Sequence, residues 1–123
     1  AVVRNHAMEL VLSRILKHAE LVRAETPDRT FDLLRTGYAD VQTGVRPALL
    51  EYSTQLPGSR VLEERYGVNR VAMVVPKDHT GRLAYISEFI EEAKASGLVR
   101  EAIERAGSRG IQVAPLGNLN AQK

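Results

Sequence analysis

Three histidines, His6, His18 and His79, are the side chains best suited to proton transfer or metal binding near neutral pH. Their spacing forms no HExxH or comparable pair, so the pattern predicts no metal site. No G-x-S-x-G elbow and no glycine-rich phosphate loop occurs. The chain has no cysteine, which removes a thiolate ligand, a thiol nucleophile and a disulfide framework. The adjacent acids Glu63-Glu64 and Glu91-Glu92 read as solvated charges on helix or loop surfaces. These patterns predict no catalytic residue and no cofactor, hence a binding protein rather than an enzyme.

Two short stretches have residue types suited to binding. Arg4-Asn5-His6-Ala7 joins an apolar run to a helical pattern. Backbone N–H groups at a helix N-terminus attract anions, and in an open α/β sheet ligands sit just beyond the carboxyl ends of the strands. The plainer reading is that Asn5 caps a helix and His6 lies on the surface. Thr43-Gly44-Val45-Arg46-Pro47 has the same strand-to-helix character. Gly44 permits close backbone approach and Pro47 suits a first helical turn. Here the plainer reading is an ordinary turn. The candidate ligand-binding residues are Asn5, His6, Ala7, Thr43, Gly44, Val45 and Arg46.

The elements that would position these loops follow from periodicity. Ala1 to Val3 fits the end of a buried strand. Met8, Val11, Leu12, Ile15 and Leu16 recur at helical spacing. Ala19 to Val22 reads as a strand. Thr26-Pro27 opens a second helix, with Thr26 as cap, Phe31, Leu33 and Leu34 on its apolar face, and Gly37 as its stop. Ala39 to Thr43 is the next predicted strand, followed by a helix carrying Leu49, Leu50 and Tyr52. Arg60 to Leu62 reads as a short strand. Val68 to Val75 is the strongest strand signal and predicts a buried central strand. Beyond it, Leu83, Ile86, Phe89, Ile90 and Ala93 form a helical stripe, and Leu98, Val99, Ala102 and Ile103 start a further helix. Strands alternating with helices predict an α/β fold with an open, mostly parallel sheet, flanking helices and additional C-terminal helices. The expected organisation is a lobe over 1–76, C-terminal helices over 77–115 and a polar tail over 116–123.

The 123 residues fit one ordinary domain, and 44% hydrophobic with 26% charged residues marks a globular chain. Seventeen basic and fifteen acidic residues give a net charge of +2. No basic run or aromatic-interleaved basic stripe is present, so nucleic acid is not an expected partner. No segment has the length and apolarity of a membrane span. The chain opens on a strand-like run without a Met, and a cut-away upstream region is expected.

Four stretches together resemble the type II periplasmic solute-binding proteins of ABC importers, closest to the branch that binds polar amino acids. AVVRNHAMELVLSR resembles the strand, ligand loop and helix that open the second lobe. FDLLRTGYADVQTGVRPALL resembles the helix, Asp-Ala-type strand and helix that follow. YGVNRVAMVVPKD resembles the strand returning through the hinge, and FIEEAKASGLVREAIERAG the closing helices. The likeness runs from Ala1 to about Pro115. It implies the second lobe plus C-terminal helices, extracytoplasmic or periplasmic, with a small-molecule solute, an ABC permease and a missing first lobe as partners.

Two positions depart from the family pattern. The resemblance implies Gly-Ser or Gly-Thr at the first loop, where Asn5 and His6 stand, and an aspartate before the third helix, where Val45 stands. Asp40 belongs to the strand motif and is not expected to touch ligand. Without an acid at Val45, an α-ammonium lacks its charge partner. The implied solute is therefore polar or anionic and organic, favoured by Asn5, His6 and Arg46, rather than an ordinary α-amino acid. A sensor domain of a receptor, or a non-transport enzyme on the same scaffold, is the alternative. The closing helices would need cover, which implies a homodimer or exchange between copies.

Overall fold

A computed structural model describes residues 1–117. The chain divides into two compact units, Ala1–Val68 and a second from Asn69 onward. The boundary expected from the sequence lay at 76. Of the expected polar tail, only Leu116 and Gly117 are among the described residues, and the rest of that tail lies outside them.

The first unit is α/β. It contains β1 (Val2–Val3), α1 (Ala7–Ile15), β2 (Arg23–Ala24), α2 (Pro27–Arg35) and α3 (Arg46–Gln55). β1 and β2 pair in parallel, with Val2 opposite Arg23 and Val3 opposite Ala24. The amides of Val2 and Arg4 donate to the carbonyls of Val22 and Ala24, both at 2.8 Å. The second strand was expected at Ala19 to Val22 and forms instead at Arg23–Ala24. Its register is set by what β1 offers, not by where the apolar run begins.

The predicted strand over Ala39 to Thr43 is not a regular strand, yet it lies along the other side of β1. The nitrogen of Ala1 donates to the Val41 carbonyl, and the carbonyl of Ala1 accepts from the Thr43 amide at 3.0 Å. One residue bonded to two residues either side of a third is the parallel pattern. The order across this layer is therefore 22–24, 1–4, 41–43. The predicted strand at Arg60 to Leu62 does not form.

The helix signals were more faithful. Thr26 caps α2, its hydroxyl accepting from the Arg29 amide at 3.3 Å, and Pro27 occupies the first turn. Gly37 ends α2 at φ +75°, a conformation that costs glycine nothing. The buried apolar residues of the unit are Val2, Leu12, Phe31 and Ala39. Thr30 is fully buried with its polarity satisfied: its hydroxyl donates to the Pro27 carbonyl at 2.6 Å and accepts from the Gln42 side-chain amide at 3.0 Å. The Phe31 ring stacks on Tyr52 of α3 with centroids 4.7 Å apart. The Tyr52 hydroxyl donates to the Asp28 carboxylate, tying α3 to the first turn of α2.

The second unit contains α4 (Thr80–Ala95) and α5 (Leu98–Arg105), which pack on each other across Gly97 at φ +88°. Lys94 pairs with Glu91 and donates to the Pro115 carbonyl at 2.9 Å, while Glu91 accepts from the Gly117 amide at 2.8 Å. These bonds lace the 115–117 segment onto α4. The expected buried strand Val68 to Val75 is overturned: no strand forms there among the described residues, and Val71 and Val74 are 98% and 94% exposed. A β-branched run favours an extended backbone, but a strand exists only where a neighbour supplies its ladder. The expected stripe on α4 is likewise open to solvent at Leu83 and Phe89, with Ala93 buried.

Two tests address this packing. Thr30→Val keeps the shape but removes the acceptor of the Gln42 amide, and should lower stability in urea unfolding by about 1–3 kcal/mol. A loss within the error of the measurement would remove Thr30 from the core account. The hydrogen bond to Asp28, then burial, then the Asp28 charge push the Tyr52 phenol up to about 12. Its folded-state pKa lies above the unfolded one, so this contribution is intact below the unfolded value and lost as pH rises through the folded value. In an ultraviolet titration of the four tyrosines, Tyr52 should ionise last, and Tyr52→Phe should delete that final step.

Candidate functional site

Because 22–24, 1–4 and 41–43 run parallel, the loops that follow them leave the layer at the same edge. These loops are Arg4 to His6, Glu25-Thr26 and Gly44-Val45. Both sequence-predicted stretches therefore lie on one edge, where an open α/β layer binds ligands.

The individual side chains differ from expectation. Asn5 does not cap α1. It takes φ 61°, a left-handed conformation that asparagine tolerates better than most residues. His6 is the N-cap, and its side chain makes no capping bond. Both are exposed, and Ala7 follows as the first residue of α1. Thr43 donates its hydroxyl to the Ala1 carbonyl at 3.2 Å. Gly44 is not among the glycines with positive φ, and a side chain there would meet Leu49 at 3.4 Å, so its closeness serves this chain's own packing. Val45 is the N-cap of α3, with no side-chain bond. Arg46, expected to favour an anion, donates instead to the carbonyls of Leu62 at 2.7 Å and Glu63 at 2.9 Å, anchoring the segment after α3.

Charge pairs at this edge involve residues that spacing did not single out. Glu9, in the first turn of α1, accepts from the Asn5 amide at 2.6 Å and from the Arg23 guanidinium of β2. Arg4 pairs with Glu25 at 3.0 Å. The two pairs cross: the β1–α1 stretch gives Arg4 and Glu9, and the stretch from β2 into its following loop gives Arg23 and Glu25. The Arg23 hydrogen bond first, and the Asn5 amide next, hold the Glu9 carboxyl below the usual glutamate range. A glutamate three residues past the N-cap was the visible signal, since such a residue commonly reaches back toward the start of its own helix. Its pairing with Arg23 depends on the strand register and had no local signal.

Beside β2 lies an open depression of about 580 Å³, lined among others by Arg23, Glu25, Arg29, Asp32, Leu33 and Tyr38. Among the described residues no three His, Asp or Glu side chains gather as a metal site, and no helix is long and apolar enough to cross a membrane. Comparison with protein-family models, with curated proteins and with solved structures gives no match.

Glu9 has a depressed folded-state pKa, so its pairing contributes stability above the unfolded-state value and loses it as pH falls through the folded value. Acid unfolding of Glu9→Gln beside the unaltered protein should show the advantage of Glu9 disappearing only below the ordinary glutamate range. Parallel acid profiles would mean that the pair does not act on stability.

Proposed function

We propose that this chain is one lobe of an extracytoplasmic solute-binding protein of an ABC importer, with a half-site for a small polar solute. The observation that carries this reading is the meeting of the Arg4–His6 and Thr43–Arg46 loops at one edge of a parallel layer in the order 22–24, 1–4, 41–43. Such an edge suits a ligand held from one side, with a second lobe closing from the other. The resemblance of four stretches in the same chain order supports the reading further. The partners are the solute, a permease, and the lobe that completes the jaw. The chain performs no chemistry, and affinity comes from closure.

The exposed run Val68–Val74 and the uncovered faces of Leu83 and Phe89 agree with a partner surface that this chain does not itself provide. In the proposed protein that surface belongs to the companion lobe. Val45 gives no carboxylate for an α-ammonium.

Isothermal titration of the complete gene product with α-amino acids, organic acids and uncharged polyols checks this. The expected result is saturable binding of a non-amino-acid solute. Micromolar affinity for an ordinary α-amino acid would overturn the solute class, and saturable binding to nothing in a broad solute screen would overturn the transport role.

A further inference from the structure

The depression beside β2 holds a cation that no carboxylate of the described residues answers. Three of the charged side chains lining it are paired with residues outside the lining. Arg23 is paired with Glu9, Glu25 with Arg4 at 3.0 Å, and Asp32 with Arg35 at 2.9 Å. Arg29 is the fourth charged side chain of the lining. It is exposed, and its guanidinium makes no ion pair or hydrogen bond among the described residues. Asp28, its neighbour in the chain, accepts from the Tyr52 hydroxyl and does not line the depression.

One face of α2 runs along the depression, because Arg29, Asp32, Leu33 and Thr36 are spaced as neighbours on a helix surface. At the helical rise, Arg29 and Thr36 are separated by about 10 Å along the axis. Leu33 is half-buried between them, and Tyr38 follows just past the C-terminal end of α2. The Tyr38 ring is 73% exposed, and its hydroxyl makes no hydrogen bond among the described residues. The lining thus offers an unanswered cation near the start of α2 and apolar surface toward its end.

We propose that this depression is a binding site for an organic carboxylate with an aromatic or apolar body: the Arg29 guanidinium holds the carboxylate, and Leu33 and Tyr38 carry the body. None of its lining residues belongs to the 4–7 or 43–46 stretches, so this second site does not rest on the half-site reading.

A guanidinium meets a carboxylate with two parallel donors, a stronger and more directional contact than a neutral hydrogen bond. Arg23 is a poorer anchor, because Glu9 would first have to be displaced from it. The volume of about 580 Å³ falls in the range of small-molecule sites. A bare anion reaches only an exposed arginine, and such contacts are weak in water. A neutral aromatic reaches only the apolar end. A molecule that spans both adds the burial of its ring against Tyr38 to the charge-assisted bond.

The probe is phenylbutyrate, titrated into the full chain and followed at the Arg29 side-chain N–H and the Tyr38 ring protons by magnetic resonance. Both signals should shift saturably with one affinity, at least about tenfold tighter than for acetate or for the neutral phenylbutyramide. Arg29→Gln should weaken phenylbutyrate binding about tenfold, and Tyr38→Ala should weaken it several-fold. Arg60→Gln, at an exposed arginine outside the depression, should leave it unchanged. The absence of saturable shifts at the two signals would overturn the proposal. So would equal affinity for the amide, equal affinity for acetate, or the same loss in Arg60→Gln as in Arg29→Gln. The comparison of three ligands on the unaltered protein decides the matter even where a variant fails to fold. Solute uptake by the complete gene product without a shift at Arg29 would remove this site and leave the transport reading standing.

Discussion

Strand β1 is only two residues long, yet every part of the first unit is referred to it. Its backbone bonds to 22–24 on one side, and through Ala1 to 41–43 on the other. Remove that pairing and the loops after the three segments no longer share an edge. Val2, at 1% exposure, is the most buried apolar side chain of the unit, so the strand that carries the hydrogen bonds also anchors the core. Hydrophobic burial and backbone pairing here depend on the same few residues.

Ion pairs cross the edge created by this arrangement. One ion pair, Arg4–Glu25, links the first and second loops, another, Glu9–Arg23, links α1 to β2, and Arg46 braces the segment after α3 by donating to two carbonyls. Exposed ion pairs contribute little to stability by themselves. Their effect here is mainly positional: they hold the start of α1 against β2 and the loop after it.

The second unit shows a different economy. Its two helices meet each other and retain the 115–117 segment through Lys94 and Glu91, but only Ala93 is buried among its described residues. Val71 and Val74, with some of the strongest β preference in the chain, face solvent. Such surface is stable in water only at a cost, and a partner surface would relieve it.

Local chemistry was legible in the sequence wherever it acts within one turn of chain. Thr26 and Pro27 starting α2, Gly37 stopping it, and the helical spacing of α1 and α4 all follow from capping and periodicity. The α/β class also followed, from the alternation of element types. Strand identity did not, because a ladder needs a second segment at the right distance. Ala19–Val22 slid to Arg23–Ala24, Ala39–Thr43 became an irregular neighbour of β1, and Val68–Val75 found no ladder among the described residues. The same distinction runs through the site. Both stretches do lie between an extended segment and a helix, as their residue types imply. The pairing of Glu9 with Arg23, and the diversion of Arg46 to Leu62 and Glu63, were decided by tertiary placement, since residues far apart in the chain meet only after the register of β1 is set.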